Sequence, residues 1–339
     1  MKKIFKYILA AASLSGLAAC SYLDRAPYTQ TSPENFFQNE AQFKLALTGA
    51  YEAMNTDKVG GVTVGGGTYL SGLSYLMSGP SDEVVTRQNA ADNYGVCTDF
   101  LKSSFTQSTP GLRRFWIAFY AGIDRANSII EHIDNLGNNA NSKYYLAEAR
   151  FLRGFYYWNL AQNFGGIPIV KYHSDGQEPR SCLKDVYRYI LDDLEAAYDF
   201  LPETGGILGN ASANKYTAAA YRAKIYNYLA ACKRNNVGAD LLDEKKLNDF
   251  SWVNADSLSK QAVNMCNDII TNSQYTLIDD WTNLFRETTK DDQHKECLFM
   301  AENYLSGAEG VYPTSQVFGF TAEGDSGLCL FYRRKVRVK

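Results

Sequence analysis

Histidine is scarce in this chain. Its three residues, His132, His173 and His294, stand at no metal-binding spacing such as HExxH, so each is read as a surface or packed side chain. Cysteine pairs are missing too. The seven cysteines, at 20, 97, 182, 232, 266, 297 and 329, form no CxxC pair or zinc pattern, so neither a metal site nor a specific disulfide is expected. There is no excess of basic charge. Against 34 Lys and Arg stand 37 Asp and Glu, a formal charge of -3, which offers nucleic acid no cationic face. Nor does the apolar stretch from Ile8 to Ala19 reach a bilayer-spanning length, since a transmembrane helix needs roughly 20 such residues.

That stretch has another reading. Lys2, Lys3 and Lys6 form a basic leader before it, and Leu17, Ala18, Ala19 and Cys20 close it in the pattern of a bacterial lipoprotein signal. Residues 1–19 are then a signal peptide, and the Cys20 thiol is the lipid attachment point. Acyl chains contribute about 0.8 kcal/mol per buried methylene, enough for several chains to anchor a protein that does not cross the membrane.

Beyond Cys20 the sequence changes character several times. Residues 20–39 are polar and suit an extended tether. Helical periodicity appears over Glu40 to Asn55, from Pro110 to a stop at Gly137, and over Asn141 to Phe164 before Gly165, Gly166 and Pro168. Further helices are expected over Leu183 to Leu201, Asn214 to Arg234 and Asn254 to Thr271. Residues 58–110 break the pattern with glycines at 60, 61, 65, 66 and 67 and then Ser, Asp, Asn and Thr clusters, which predicts a long loop excursion, a class of segment that usually carries function. The fold class expected is mainly α: a tetratricopeptide-like helical repeat over 40–320, in which Ala147, Ala149, Gly154, Ala218 and Ala223 allow close helix approach.

Three patterns suggest chemistry, and none holds. The GDSG at 324–327 lacks a matching His motif and sits in a helical rather than a β-barrel context. The glycine run GGVTVGGG has no Walker lysine. The acidic pairs Asp192/Asp193, Asp279/Asp280 and Asp291/Asp292 are adjacent in sequence, which on a helix turns them about 100° apart, so they read as solvated faces and not as glycosidase carboxylates. Aromatic residues, by contrast, are concentrated. Phe151, Phe155, Tyr156, Tyr157 and Trp158 cover more than half of a helix circumference, which predicts a buried helix and not a ligand platform.

Several stretches together resemble the SusD/RagB family of outer-membrane lipoproteins. They are LAAC with SYLDRAPYTQTSPENFF, AQFKLALTGAYEAM, SDEV at 81–84, FWIAFYAGIDRANSIIEHID, YLAEARFLRGFYYWNLAQNFGGIPIV, ANKYTAAAYRAKIYNYLA, and SQYTLIDDWTNLF with KECLFM. The resemblance implies a SusD-like α/α superhelix, a cell-surface position facing outward, no enzymatic activity and no cofactor. It also implies a glycan or other nutrient as ligand and a SusC-like TonB-dependent transporter as partner. On that resemblance, ligand contacts are expected from Asp82, Glu83, Arg87, Asn93 and Tyr94, because sugar rings stack on aromatic faces and their hydroxyls pair with Asp, Asn and Arg. The alternative is a scaffold that holds the transporter and binds little glycan itself. Members of the family are usually longer, and the basic tail at 321–339 reads as a truncation, a frameshifted end or a short variant.

Overall fold

The computed structural model describes residues 36–54, 58–59, 62–63, 84–86, 106, 110–171, 174–210, 212–239, 246–285, 294–299 and 331–333. Among them run six α-helices: α1 (Glu40–Glu52), α2 (Pro110–His132), α3 (Ala140–Phe164), α4 (Leu183–Phe200), α5 (Lys215–Arg234) and α6 (Ala255–Asn272). Their ends are set by local chemistry. Asn39, Asn139, Asn214 and Asn254 each stand in extended backbone and accept a hydrogen bond from the third residue of the helix that follows. At α3 and α5 the bond is returned by Ser142 and Thr217, which completes a capping box. Past α2, a 3-10 turn (Ile133–Leu136) ends at Gly137, and α3 ends at Gly165, both with φ near +71°, a conformation that favours glycine.

Each helix packs chiefly on the next one along the chain, and α1 also reaches α3. Contacts between sequence neighbours are what a stacked helical repeat produces. The centre of the stack is α3. Phe151, Phe155, Tyr156, Tyr157 and Trp158 are all buried, as their angular spread predicts. Phe119 of α2 meets Tyr156 edge-on at 5.3 Å, while Tyr221 of α5 receives Phe151, Phe155 and Trp158 at 5.5 to 5.6 Å. Gly154 serves the close approach expected of it: a Cβ there would lie 3.3 Å from the Ile190 carbonyl oxygen of α4. The stack is less well sealed at α6, where only Ala262 is buried and Val263, Ile270 and the following Leu277 and Trp281 are exposed.

Short strands accompany the helices. Within the span expected to be a loop, β1 (Lys58–Val59) pairs antiparallel with β2 (Val62–Thr63), and β3 (Val84–Thr86) pairs antiparallel with β4 (Phe331–Arg333) in the basic tail.

Two expectations need correction. The tether does not run to residue 39, because Phe37 is buried and packs edge-on against Phe43 and face-on against His132. An aromatic pair at the mouth of α1 gains more from the core than from solvent. Asp193 is not part of a solvated acidic face either. Its side chain is 1% exposed and salt-bridged to Arg150 and Arg153, whereas Asp192 beside it is exposed.

Candidate functional site

The residues expected to carry lipid or ligand, Cys20, Asp82, Glu83, Arg87, Asn93 and Tyr94, lie outside the described residues, as do His173, the 291/292 acidic pair and the GDSG segment. His132 is a packed residue, with Nδ1 2.8 Å from the Ser128 carbonyl oxygen. The thiols of Cys182, Cys232, Cys266 and Cys297 are free, and among the described residues no group of His, Cys, Asp or Glu is placed to hold a metal ion.

What the structure assembles around α3 is a set of buried polar contacts. Glu148 is fully buried on α3. The Tyr51 hydroxyl of α1 donates to its Oε1 at 2.6 Å, and the Ile207 amide donates to its Oε2 at 3.1 Å. Tyr51 in turn accepts from the Ala213 amide at 2.8 Å. Burial raises the Glu148 pKa above the usual carboxyl range, against hydrogen bonds that pull it down, and burial together with the nearby Glu148 charge raises that of Tyr51. This knot ties the first helix to the third and to the 206–213 turn.

A second set lies on the α4 side. Asp193 takes Arg153 through both carboxylate oxygens, at 2.7 and 2.9 Å, and Arg150 Nε at 2.8 Å. Arg153 also donates to Asn127 Oδ1, whose amide reaches the Val170 carbonyl oxygen. Burial opposes the Arg153 charge, but the Asp193 bonds outweigh it and hold the pKa above the ordinary value. Two guanidiniums share one carboxylate, so the trio keeps a net positive charge.

Beside that trio opens a cleft of about 450 Å³ between the 3-10 turn, α3 and α4. One wall is a single face of α3, with Lys143, Leu146, Ala147 and Arg150 at the i, i+3, i+4, i+7 positions. Ala196 and Phe200 of α4 form the opposite wall, and the Phe200 side of it is open, that residue being 52% exposed. Asp134 and Asn138 close the end. No single stretch of sequence announces this cleft, because its parts come from three elements; the one local signal is a phenylalanine at the end of α4, separated by Leu201 from the polar PETGG.

Comparison with known proteins identifies the scaffold. Residues 21–227 match the model of the SusD-like family described as starch-binding and associating with outer membrane. The chain is 29% identical over 218 residues to SusD-like protein P2 of Formosa agariphila, covering 62% of this chain and 40% of that protein. With SusD-like protein P25 of the same organism it is 22% identical over 314 residues, 88% of this chain and 53% of the relative. It thus spans about half the length of these relatives or less. Among solved structures, a SusD-like protein from Bacteroides fragilis superposes with a TM-score of 0.58 at 20% identity, over 81% of this chain and 46% of the other. A laminarin-binding SusD-like protein gives 0.58 at 20% identity over 77% and 51%, and a structure with a xylogluco-oligosaccharide gives 0.58 at 21% over 76% and 45%. These structural likenesses show a shared helical fold.

Proposed function

The chain belongs to the SusD-like family, and from that membership we propose that it is a non-catalytic glycan-binding protein of the cell surface. In this reading Cys20 carries the lipid that anchors it to the outer membrane, and bound oligosaccharide passes to a TonB-dependent transporter. The observation that carries the reading is the family match over residues 21–227. Two structural neighbours, one laminarin-binding and one solved with a xylogluco-oligosaccharide, support an oligosaccharide as the ligand class. The packing bears on where the ligand binds. Phe151, Phe155, Tyr156, Tyr157 and Trp158 of α3 are consumed in the core, so these rings are unavailable for stacking on sugar. The loop bearing Asp82, Glu83, Arg87, Asn93 and Tyr94 is therefore the proposed principal site.

Affinity electrophoresis of the full chain in gels containing laminarin, xyloglucan or starch tests this. Retardation in at least one gel, reduced by alanine at Arg87 or Tyr94 and without release of reducing sugar, is the expected result. Release of reducing sugar would overturn the non-catalytic reading. Retardation by no polysaccharide, with the transporter still co-purifying, would make the chain a scaffold instead.

A further inference from the structure

We propose that the cleft between the 3-10 turn, α3 and α4 is a second saccharide site, selective for a sugar residue that bears a negative charge. The inference deepens the glycan-binding reading and rests on it, but it uses different residues. The cleft offers both halves of sugar recognition. The half-exposed ring of Phe200 presents an apolar face to one side, and Leu146 and Ala147 continue an apolar floor opposite. Around them stand charged groups with hydrogen-bonding capacity that no other described residue takes up. The Lys143 ammonium and the Asp134 carboxylate enter no salt bridge among the described residues, and Arg150 spends Nε on Asp193 and Nη2 on the Asp192 carbonyl oxygen, leaving Nη1.

Charge decides the ligand class. Lys143 and the Arg150/Arg153/Asp193 trio each bring a net positive charge to the cleft, against one negative charge from Asp134. A carboxylate or a sulfate ester on the sugar would accept from Lys143 or from Arg150, while Asp134 and Asn138 take ring hydroxyls. Lys143 and Arg150 lie two helical turns apart, roughly 10 Å along α3, which spans about two pyranose units. An acidic peptide could satisfy the cations, but it would make no use of the flat open ring of Phe200, so the saccharide is the reading favoured.

The test is titration calorimetry of the full chain with tri-galacturonic acid, a sulfated disaccharide and maltotriose, each at low and high salt. Lys143→Gln and Phe200→Ala alter exposed side chains outside the core, and urea melts of both variants should match the parent. The expected result is salt-sensitive binding of the uronate or the sulfated sugar, whichever source supplies the anion. Each substitution should weaken it roughly tenfold, the size of one lost charge-assisted hydrogen bond or ring contact. Retention in neutral polysaccharide gels should be unchanged in both variants. Anionic sugars that bind with parental affinity to both variants, or not at all while neutral polysaccharide is still retained, would overturn this site and leave the general reading intact. Failure of every sugar, neutral and anionic, would defeat the general reading. An acidic peptide competing for Lys143 with no sugar bound would overturn the ligand class.

Discussion

Tyr156 of α3 lies so close over Gly122 of α2 that a methyl group built on the glycine would sit 2.5 Å from the ring. The tyrosine hydroxyl donates to the Ala50 carbonyl oxygen of α1 at 2.6 Å, so one side chain fixes the spacing of three helices.

Two glycine substitutions should therefore have opposite signs. Gly122→Ala forces the Tyr156 ring out of its seat and should cost about 1 to 3 kcal/mol, the range for overpacking a core. Gly49→Ala, on α1, meets nothing within 4 Å and should stabilise by about 0.8 to 1 kcal/mol through helix propensity alone. Urea unfolding of the two variants checks both, and a stabilised Gly122→Ala would contradict the close seat described.

Removing Asp193 should be far more damaging than removing Asp192 beside it. Asp193→Ala leaves Arg153 buried without its counter-charge, at a cost of about 3 to 5 kcal/mol for a broken buried pair. Asp192→Ala, at an exposed position, should stay within about 0.5 kcal/mol of the parent. Equal melts for the two variants would show that Asp193 is not the partner the geometry makes it.

Glu148 gives stability a distinct pH dependence. Its pKa is raised in the folded protein, so between the ordinary glutamate range and that higher value the folded state holds a proton that the unfolded chain has released. Folding stability from this group is accordingly greatest at low pH and declines as pH rises through that window. Glu148→Gln should flatten this part of the stability profile measured by urea titration at successive pH values. A profile with the parental slope in the variant would assign the effect to another group.

Trp158→Ala should cost about 3 to 5 kcal/mol, since its ring is buried between helices and packs edge-on against Tyr221. Thermal melts read that loss. At a temperature where the variant is still folded, its retention in polysaccharide gels should equal that of the parent. Selective loss of binding in a stable variant would return this ring to the ligand site.

The helical plan was legible from local signals. Pro110 as a start, Gly165 as a stop, and the starts expected at Asn141, Asn214 and Asn254 place five of the helix boundaries within one residue, whereas α2 ends at His132, before the stop expected at Gly137. The burial of Phe151 through Trp158 followed from angular spread alone. The interior charges did not. Glu148 sits in YLAEARF and Asp193 in LDDLE, each indistinguishable in sequence from a solvated helical charge. Their partners come from elsewhere in the chain, Tyr51 lying 97 residues away and Arg153 40. Periodicity reports which face of a helix is apolar, and it cannot report a polar contact whose other half arrives by tertiary packing.

Packing between sequence neighbours also sets how the molecule comes apart. A helix stacked on one neighbour can detach without disturbing the rest, whereas α3, held by α1, α2 and α4, cannot. With a single buried residue, α6 is the first candidate to fray among the described helices, and amide hydrogens should exchange fastest there and slowest in α3. The structural stack is thus also a gradient of local stability, in which the chain can open at one end while Tyr156, Glu148 and Asp193 keep the centre closed.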